Sequence, residues 1–522
     1  MHDGEGMAPN KKLTPSFALC RLATAQRIQM GSRAKKQHLH ADGGKPMITW
    51  IRKLLGKEPS FEQSPPMPRE PQDHSSHDSA QQTGVAGPEA DLPVPEEWRP
   101  LLTEMEQSSG HFFVTGQAGT GKSTLIGLFR RLTGKNVVVV APTGLAAITA
   151  QGVTIHSLTR FPPTVITRDS VGEITEKHLI RAIDTIIVDE VSQVRCDLLD
   201  GLDHFMRRNG RDKELPFGGV QVILVGDPCQ LPPVVSDGER QSLERAGYPG
   251  PFYFWNSSVY GEINPRRLEL KTRFRQAEQD FLDLLGCIRT NDVHTGKLDL
   301  LQQCMADTDF DPFFRPFHTM LTWRGDEAGY YNNREFYRLP GPRQEYRAKR
   351  TGSALNINNP EYNFPCEENL LLRVGARVIC CRDISAELLN GTMGTVVELE
   401  DEAVLIRADD GRSLRVLPAV WELITYSYSR ETGKIESTVT GTIEQIPLRH
   451  AWALSIHKAQ GVTLDQVHID LSDAAFPPGQ AYIALSRCRS FAGTKLKTKF
   501  FNLDPGDVMV DGDIVEFMSS LS

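Results

Sequence analysis

The stretch GQAGTGKST, residues 116–124, decides the fold. The run before it, HFFVT (111–115), is short, apolar and built of strand-formers. The run after it, LIGLFRRL (125–132), places apolar residues at helical spacing. Gly116 to Ser123 therefore match G-x-x-x-x-G-K-[ST] in the strand–loop–helix setting that the motif needs. Glycines let backbone N–H groups approach phosphate oxygens, and the helix N-terminus adds its dipole. The expected nucleotide-binding set is Gly116, Ala118, Gly119, Thr120, Gly121, Lys122, Ser123 and Thr124. Lys122 is expected to reach the β- and γ-phosphates, and Ser123 to hold Mg²⁺.

Two further buried runs supply chemistry around those phosphates. TIIVDE (185–190) reads as a strand ending in two acids. Asp189 is expected to complete the Mg²⁺ shell, and Glu190 to orient or deprotonate the attacking water. VQVILVGDPCQLPPV (220–234) reads as a second strand, with Gln230 just beyond its end. A glutamine there can contact the γ-phosphate or its water, and Leu-Pro-Pro stiffens the exit from the strand. This half of the chain offers no fixed cation for the far side of the transition state. Arg275 in TRFRQ (272–276) and Arg487 in YIALSRCRS (482–490) are the candidates.

Composition narrows the classes. The chain has 522 residues, a net charge of −8 and a pI near 6.0, which argues against a uniformly basic nucleic-acid binder and leaves room for a basic groove. The length allows about two to four domains. Nine cysteines show no C-x-x-C pair, so a reducing compartment without a zinc site or disulfide framework is expected. No apolar run approaches the ~20 residues of a membrane span. The expected location is cytoplasmic, at a bacterial nucleoid, with an organelle or nucleus as the eukaryotic alternative.

The chain divides by texture. Residues 1–57 carry eleven Lys/Arg against three Asp/Glu, and 58–92 are rich in Pro, Ser, Gln and acid. A disordered tail over 1–92 is expected, as a possible site for protein partners. Within it, MITWIRKLLG (47–56) could form a short basic helix, and 11–40 weakly resembles a transit peptide. From about 93 to 290 strands alternate with helical patterns, the mark of an α/β parallel sheet. Residues 370–445 are short alternating runs broken by Asn390-Gly391, Asp410-Gly411 and Thr432-Gly433, the pattern of an antiparallel barrel or hairpin insert. After 446 the strand–helix style returns.

Taken in order, the blocks resemble superfamily-one DNA helicases of the Pif (petite integration frequency) branch of the Pif/RecD group. They are GQAGTGKST, APTGLAA…GVTIHSL (141–158), IIVDEVSQV (186–194), PFGGVQVILVGDPCQLPPV (216–234), LKTRFRQ (270–276), AWALSIHKAQGVTLD (451–465) and GQAYIALSRCRS (479–490). DLLDGLDHFMRRNG…PFGG (197–219) resembles the signature stretch of that branch. The resemblance spans about 93–520. It implies an α/β fold of two RecA-like P-loop lobes with ATP between them. Lobe one would be 93–262, with a small wedge near 159–178. Lobe two would be 263–378 and 446–522, interrupted by an SH3-like β insert at 379–445. The tail beyond about 505 is expected to complete the second lobe, and Arg275 and Arg487 would come from that lobe.

The resemblance also implies 5′-to-3′ movement on single-stranded DNA and unwinding of forked duplex, in repair, recombination or replication, with telomere maintenance known at family level. A monomer is expected. Implied DNA contacts are Pro142, Thr143, Thr154, His156 and Ser157 in lobe one and His457, Lys458 and Thr463 in lobe two, with Gly461 at the nucleotide. Polar donors and loop amides of this kind hold phosphates without reading bases. The usual H-K-S-Q-G reads HKAQG here, and no adenine-reading Gln stands near Pro93–Pro100. Two other readings stay open: a nucleotide-switched DNA-binding or recruitment factor that rarely unwinds, and a small-molecule kinase.

Overall fold

The computed structural model describes residues 94–117, 119–272, 278–292, 295–305, 318–357, 365–471, 479–497 and 508–520. The tail 1–92, with its basic helix and transit-like stretch, lies outside these residues, as do Ala118 and Arg275.

The first lobe is a six-stranded sheet, and every pairing in it is parallel. Its strands are β1 (Phe112–Gly116), β2 (Val137–Ala141), β3 (Val153–Thr154), β4 (Thr185–Val188), β5 (Gln221–Val225) and β6 (Arg266–Leu270), in the order β3-β2-β4-β5-β1-β6. Parallel strands covered on both faces read as unbroken apolar runs, which is why FFV, VVVV, IIV and VILV mark the centre of this sheet. Phe112 and Val114 join the core on one face with Leu125, Phe129 and Leu102, and Phe113 joins the other with Leu199, Leu202 and Phe205.

The signature stretch forms the helix Cys196–Asn209, and its buried acids work as backbone clamps. Asp197 Oδ2 accepts from Ile166 N at 2.8 Å. Asp200 accepts from Ser258 N, Val259 N and the Tyr248 hydroxyl at 3.0, 2.9 and 2.8 Å. Asp203 Oδ1 accepts from Phe217 N at 2.6 Å, and Asn209 Oδ1 from Ile174 N at 2.9 Å. The segment expected as a wedge, 159–178, is thus tied down at Ile166 and Ile174 by one helix.

The second lobe carries a parallel sheet in the order Ala453–Ser455, Thr319–Thr322, Val467–Asp470, Thr494–Lys497. Between its strands runs an antiparallel region that begins at Gln344 and ends at His450, enclosing the span 379–445. A five-stranded sheet (Ser413–Val416, Val404–Ala408, Met393–Leu399, Arg377–Cys380, Leu448–His450) packs around Val378, Ile406 and Leu448. A long hairpin, Ala419–Ser429 with Lys434–Gln445, pairs with Lys349–Gly352. The Gly411 and Gly433 turns have φ of 89° and 66°, the left-handed backbone that their sequence signals predicted. The five-stranded sheet and hairpin match the expected hairpin-rich texture. Among the described residues, no helix is long and apolar enough to cross a membrane.

Candidate nucleotide and DNA site between two lobes

The phosphate loop follows β1. Gly116 has φ 154°, and a Cβ there would meet Thr120 Oγ1 at 2.6 Å and the Leu270 carbonyl at 2.7 Å, so only glycine fits beside β6. Gly121 caps the helix Lys122–Leu132 in the left-handed conformation, φ 84°. Thr120 is buried and Ser123 is exposed at the helix start. Lys122 Nζ donates to the Gly116 and Gln117 carbonyls at 2.8 and 3.2 Å. Burial lowers the Lys122 pKa, while Asp227, Glu190 and Asp189 raise it. The ammonium therefore rests over a loop whose own carbonyls stand in for acceptor oxygens, amid three carboxylates that offset part of the cost of its burial.

The acids sit just past the end of β4. Asp189 Oδ1 accepts from Glu190 N at 2.9 Å, and burial pushes the Asp189 carboxyl up. Glu190 is left-handed at φ 50°, ψ 44°, a strained conformation for a residue with a side chain, worth roughly 1 kcal/mol or more. Burial first, and then the adjacent Asp189 carboxylate, push Glu190 up to about 7; Lys122 and Arg487 act the other way. A carboxyl held near neutrality is suited to receive a proton. The donor set, a hydroxyl at Ser123 and a desolvated strand-end carboxylate at Asp189, consists of hard oxygens and fits a magnesium ion.

The second lobe completes the arrangement. Gln460, in the HKAQG block, reaches across: its Nε2 donates to Glu190 Oε2 at 3.1 Å and to Gln230 Oε1 at 3.3 Å, and its Oε1 accepts from Gln193 Nε2 at 3.5 Å. Arg487 is 1% exposed, donates from Nε to the Ile483 carbonyl at 3.3 Å and from Nη2 to Ser486 Oγ at 3.0 Å, and acts electrostatically on Glu190. Arg289 Nη2 donates to Asp227 Oδ1 at 3.0 Å. The structure thus brings together Lys122, Asp189, Glu190, Gln230 and Arg487. Sequence reasoning passed over Gln460, Asp227 and Arg289. Gln460 lay inside a quoted block; Arg289 carried no local signal, since its partner is 62 residues away in sequence.

The expected DNA contacts lie elsewhere. Thr143 caps the helix Gly144–Thr149, accepting from Ala146 N at 3.2 Å. Thr154 caps Ile155–Thr159, accepting from Ser157 N at 3.0 Å, with the two hydroxyls 2.8 Å apart. His156 Nδ1 stands 3.3 Å from the Phe161 carbonyl. Pro142 and Thr143 lie on the turn after β2, with Thr143 exposed. On the second lobe His457, Lys458 and Gly461 are exposed and Thr463 half-buried; the His457 ring lies 5.7 Å from Trp323, and Gly461 has φ 80°. A cleft of 770 Å³ opens beside Thr154, Ser157 and Arg160, roofed by Tyr426, Tyr428 and Arg430 of the hairpin.

A phosphate loop, a strand-end acid pair and a glutamine on one parallel sheet, closed by arginine and glutamine from a second, define a two-lobed P-loop NTPase of the helicase type. The PIF1-like helicase family matches residues 101–295. The ATP-dependent DNA helicase Pif1 of Bdellovibrio bacteriovorus is 31% identical over 79% of this chain and 89% of its own length. Human ATP-dependent DNA helicase PIF1 is 31% identical over 82% of this chain and 63% of its own. Bacteroides Pif1 solved with ADP-AlF4 is 32% identical, covers 82% of this chain and 97% of that one, and has a TM-score of 0.74. With the same coverage, Bacteroides Pif1 bound to ssDNA is 33% identical with a TM-score of 0.56, and in the forked-dsDNA structure with two coordinating helicases it is 32% identical with a TM-score of 0.55. The chain belongs to the PIF1-like helicase family.

Proposed function

We propose that this chain is an ATP-dependent DNA helicase that moves 5′ to 3′ on single-stranded DNA and separates forked duplex. The observation that carries the reading is the cross-lobe contact of Gln460 with both Glu190 and Gln230. Parts of one hydrolytic site belong to two bodies, so hydrolysis and lobe position are linked.

Lys122 leaves its own loop carbonyls to take the β- and γ-phosphates. Glu190 receives the proton of the attacking water on its carboxylate, and Gln230 orients that water. Arg487, with Arg275, neutralises charge on the transferring group from the second lobe. Ser123 and Asp189 would hold Mg²⁺, which would offset phosphate charge when bound. Thr143, Thr154, His156 and Ser157 on one lobe and His457, Lys458 and Thr463 on the other hold the strand by its backbone. His457 and Lys458 stand three and two residues before Gln460, which gives strand contact a short route to Glu190. Relatives named as DNA helicases and a neighbour solved with ssDNA support this reading. So do the solved forked-DNA and ADP-AlF4 complexes of that neighbour.

The test is ATP turnover with and without single-stranded DNA, beside strand displacement on a 5′-tailed fork. DNA should stimulate turnover and ATP should drive displacement. Turnover indifferent to DNA and RNA would sink the proposal, and tight nucleotide-dependent binding without displacement would favour a switch.

A further inference from the structure

The turn that carries Gln230 is held by the wrong lobe. Residues Asp227 to Leu231 leave β5 of the first lobe, yet Cys229 and Leu231 are 1% and 2% exposed and belong to the second lobe's core, the same cluster that holds Phe281, Leu284, Leu285 and Ile288. Those four residues lie on one helix, Gln279–Arg289. Its last residue, Arg289, is 6% exposed, and its guanidinium donates to Asp227, which is fully buried. Asp227 in turn builds the turn: its Oδ1 accepts from Cys229 N at 3.2 Å and its carbonyl from Gln230 N at 2.9 Å. One carboxylate oxygen therefore accepts both from the backbone beside Gln230 and from the second lobe's arginine.

We propose that Arg289 is a positioning residue for hydrolysis: through Asp227 it fixes the turn bearing Gln230, so that Gln230 follows the second lobe although it is chained to the first. This rests on the reading of Gln230 as the residue that faces the terminal phosphate. The physics favours a strut that stays closed. Both charges are out of water, so separating them while they remain buried leaves each uncompensated, a large penalty. Lobe motion then pivots about this pair instead of breaking it. The pair also borders the phosphate loop, since Asp227 and Arg289 act with opposite sign on Lys122. Arg289 lies outside the blocks that carry the nucleotide and strand contacts.

The test is single-stranded-DNA-stimulated ATP turnover of the full chain as wild type, R289M, R289K, Q230A and R289M/Q230A, with melting temperature and DNA affinity recorded for each. R289M should lower kcat about tenfold or more while KM for ATP stays within about threefold, the pattern of an interaction made in the transition state. R289K, which keeps the charge, should recover much of that loss. R289M/Q230A should be no slower than Q230A, because both changes act through one residue. Where R289M melts more than about 5 °C below wild type, D227N/R289M, which removes both buried charges together, replaces it in every comparison, with the same outcomes expected. Unchanged kcat in R289M, or losses that multiply in the double variant, would overturn the proposal while leaving the helicase reading intact. A wild-type chain that fails to turn over ATP would overturn both.

Discussion

Glu190 must be ionised before it can take a proton from water, and its surroundings hold it near neutrality. Its carboxyl is pushed up to about 7, so below that pH the group is protonated and cannot act as base. The pH dependence of kcat/KM reports groups of the free enzyme. The kcat/KM for ATP with excess magnesium should therefore fall on the acid side with a single-proton limb near pH 7, measured as a pH profile of DNA-stimulated turnover. A flat profile between pH 6 and 8 would count against Glu190 as base. Lys122→Ala should cost about 10²-fold or more in kcat, as for removal of a fixed charge at a transferring phosphate, and leave DNA binding in place. Lys122, Asp189 and Glu190 were legible because each ends a contiguous run whose strand–loop pattern is local. Gln460 and Arg289 were not, because what gives them a role is a neighbour hundreds or tens of residues away.

At the scale of elements, two helices show where pattern stops short of partner. The tail beyond about 505 was expected to complete the second lobe. The helix Gly512–Ser520 does place Ile514 in that lobe's core, but Phe517 joins the first lobe's core. Its ring stacks on Trp255 with centroids 4.2 Å apart and planes 5° apart. The second lobe thus ends in a strap across to the first. Phe517→Ala should destabilise the chain by about 3–5 kcal/mol, read as a lower urea midpoint; a shift below about 1 kcal/mol would mean that the strap does not hold. In the signature helix, Asp200 satisfies two backbone amides and a tyrosine hydroxyl at once. Asp200→Ala should cost at least about 2 kcal/mol by the same measurement, with little direct effect on nucleotide affinity, because it leaves buried donors unpaired. That helix was legible as a family mark; its acids as clamps were not, since acids on a helix ordinarily face water.

At the scale of the molecule, the antiparallel region is not confined to its own lobe. The Thr432-Gly433 pair predicted a hairpin, and the hairpin exists, but its tip docks on the first lobe. Asn136 Oδ1 accepts from Ile435 N at 3.1 Å and its Nδ2 donates to the Gly433 carbonyl at 3.3 Å; the Tyr426 hydroxyl accepts from Val139 N at 3.2 Å. Hairpin length and turn type are local properties, whereas the docking surface is assembled from the far lobe. The two lobes are therefore joined by the hairpin, the C-terminal strap and the buried Arg289–Asp227 pair, with the hydrolytic residues among them. Strand affinity should fall as salt rises, with a log–log slope of about −0.7 per phosphate held, and Lys458→Ala should make that slope shallower.

The central claim is that nucleotide chemistry assembled across this cleft drives strand separation. Its most direct measurement is displacement of forked, 5′-tailed and 3′-tailed duplexes with ATP, wild type beside Glu190→Gln. The account predicts displacement of the forked and 5′-tailed duplexes by wild type, little on the 3′-tailed duplex, and none by Glu190→Gln although that variant still binds DNA. Vigorous ATP turnover without displacement of any duplex, or displacement undiminished in Glu190→Gln, would contradict it.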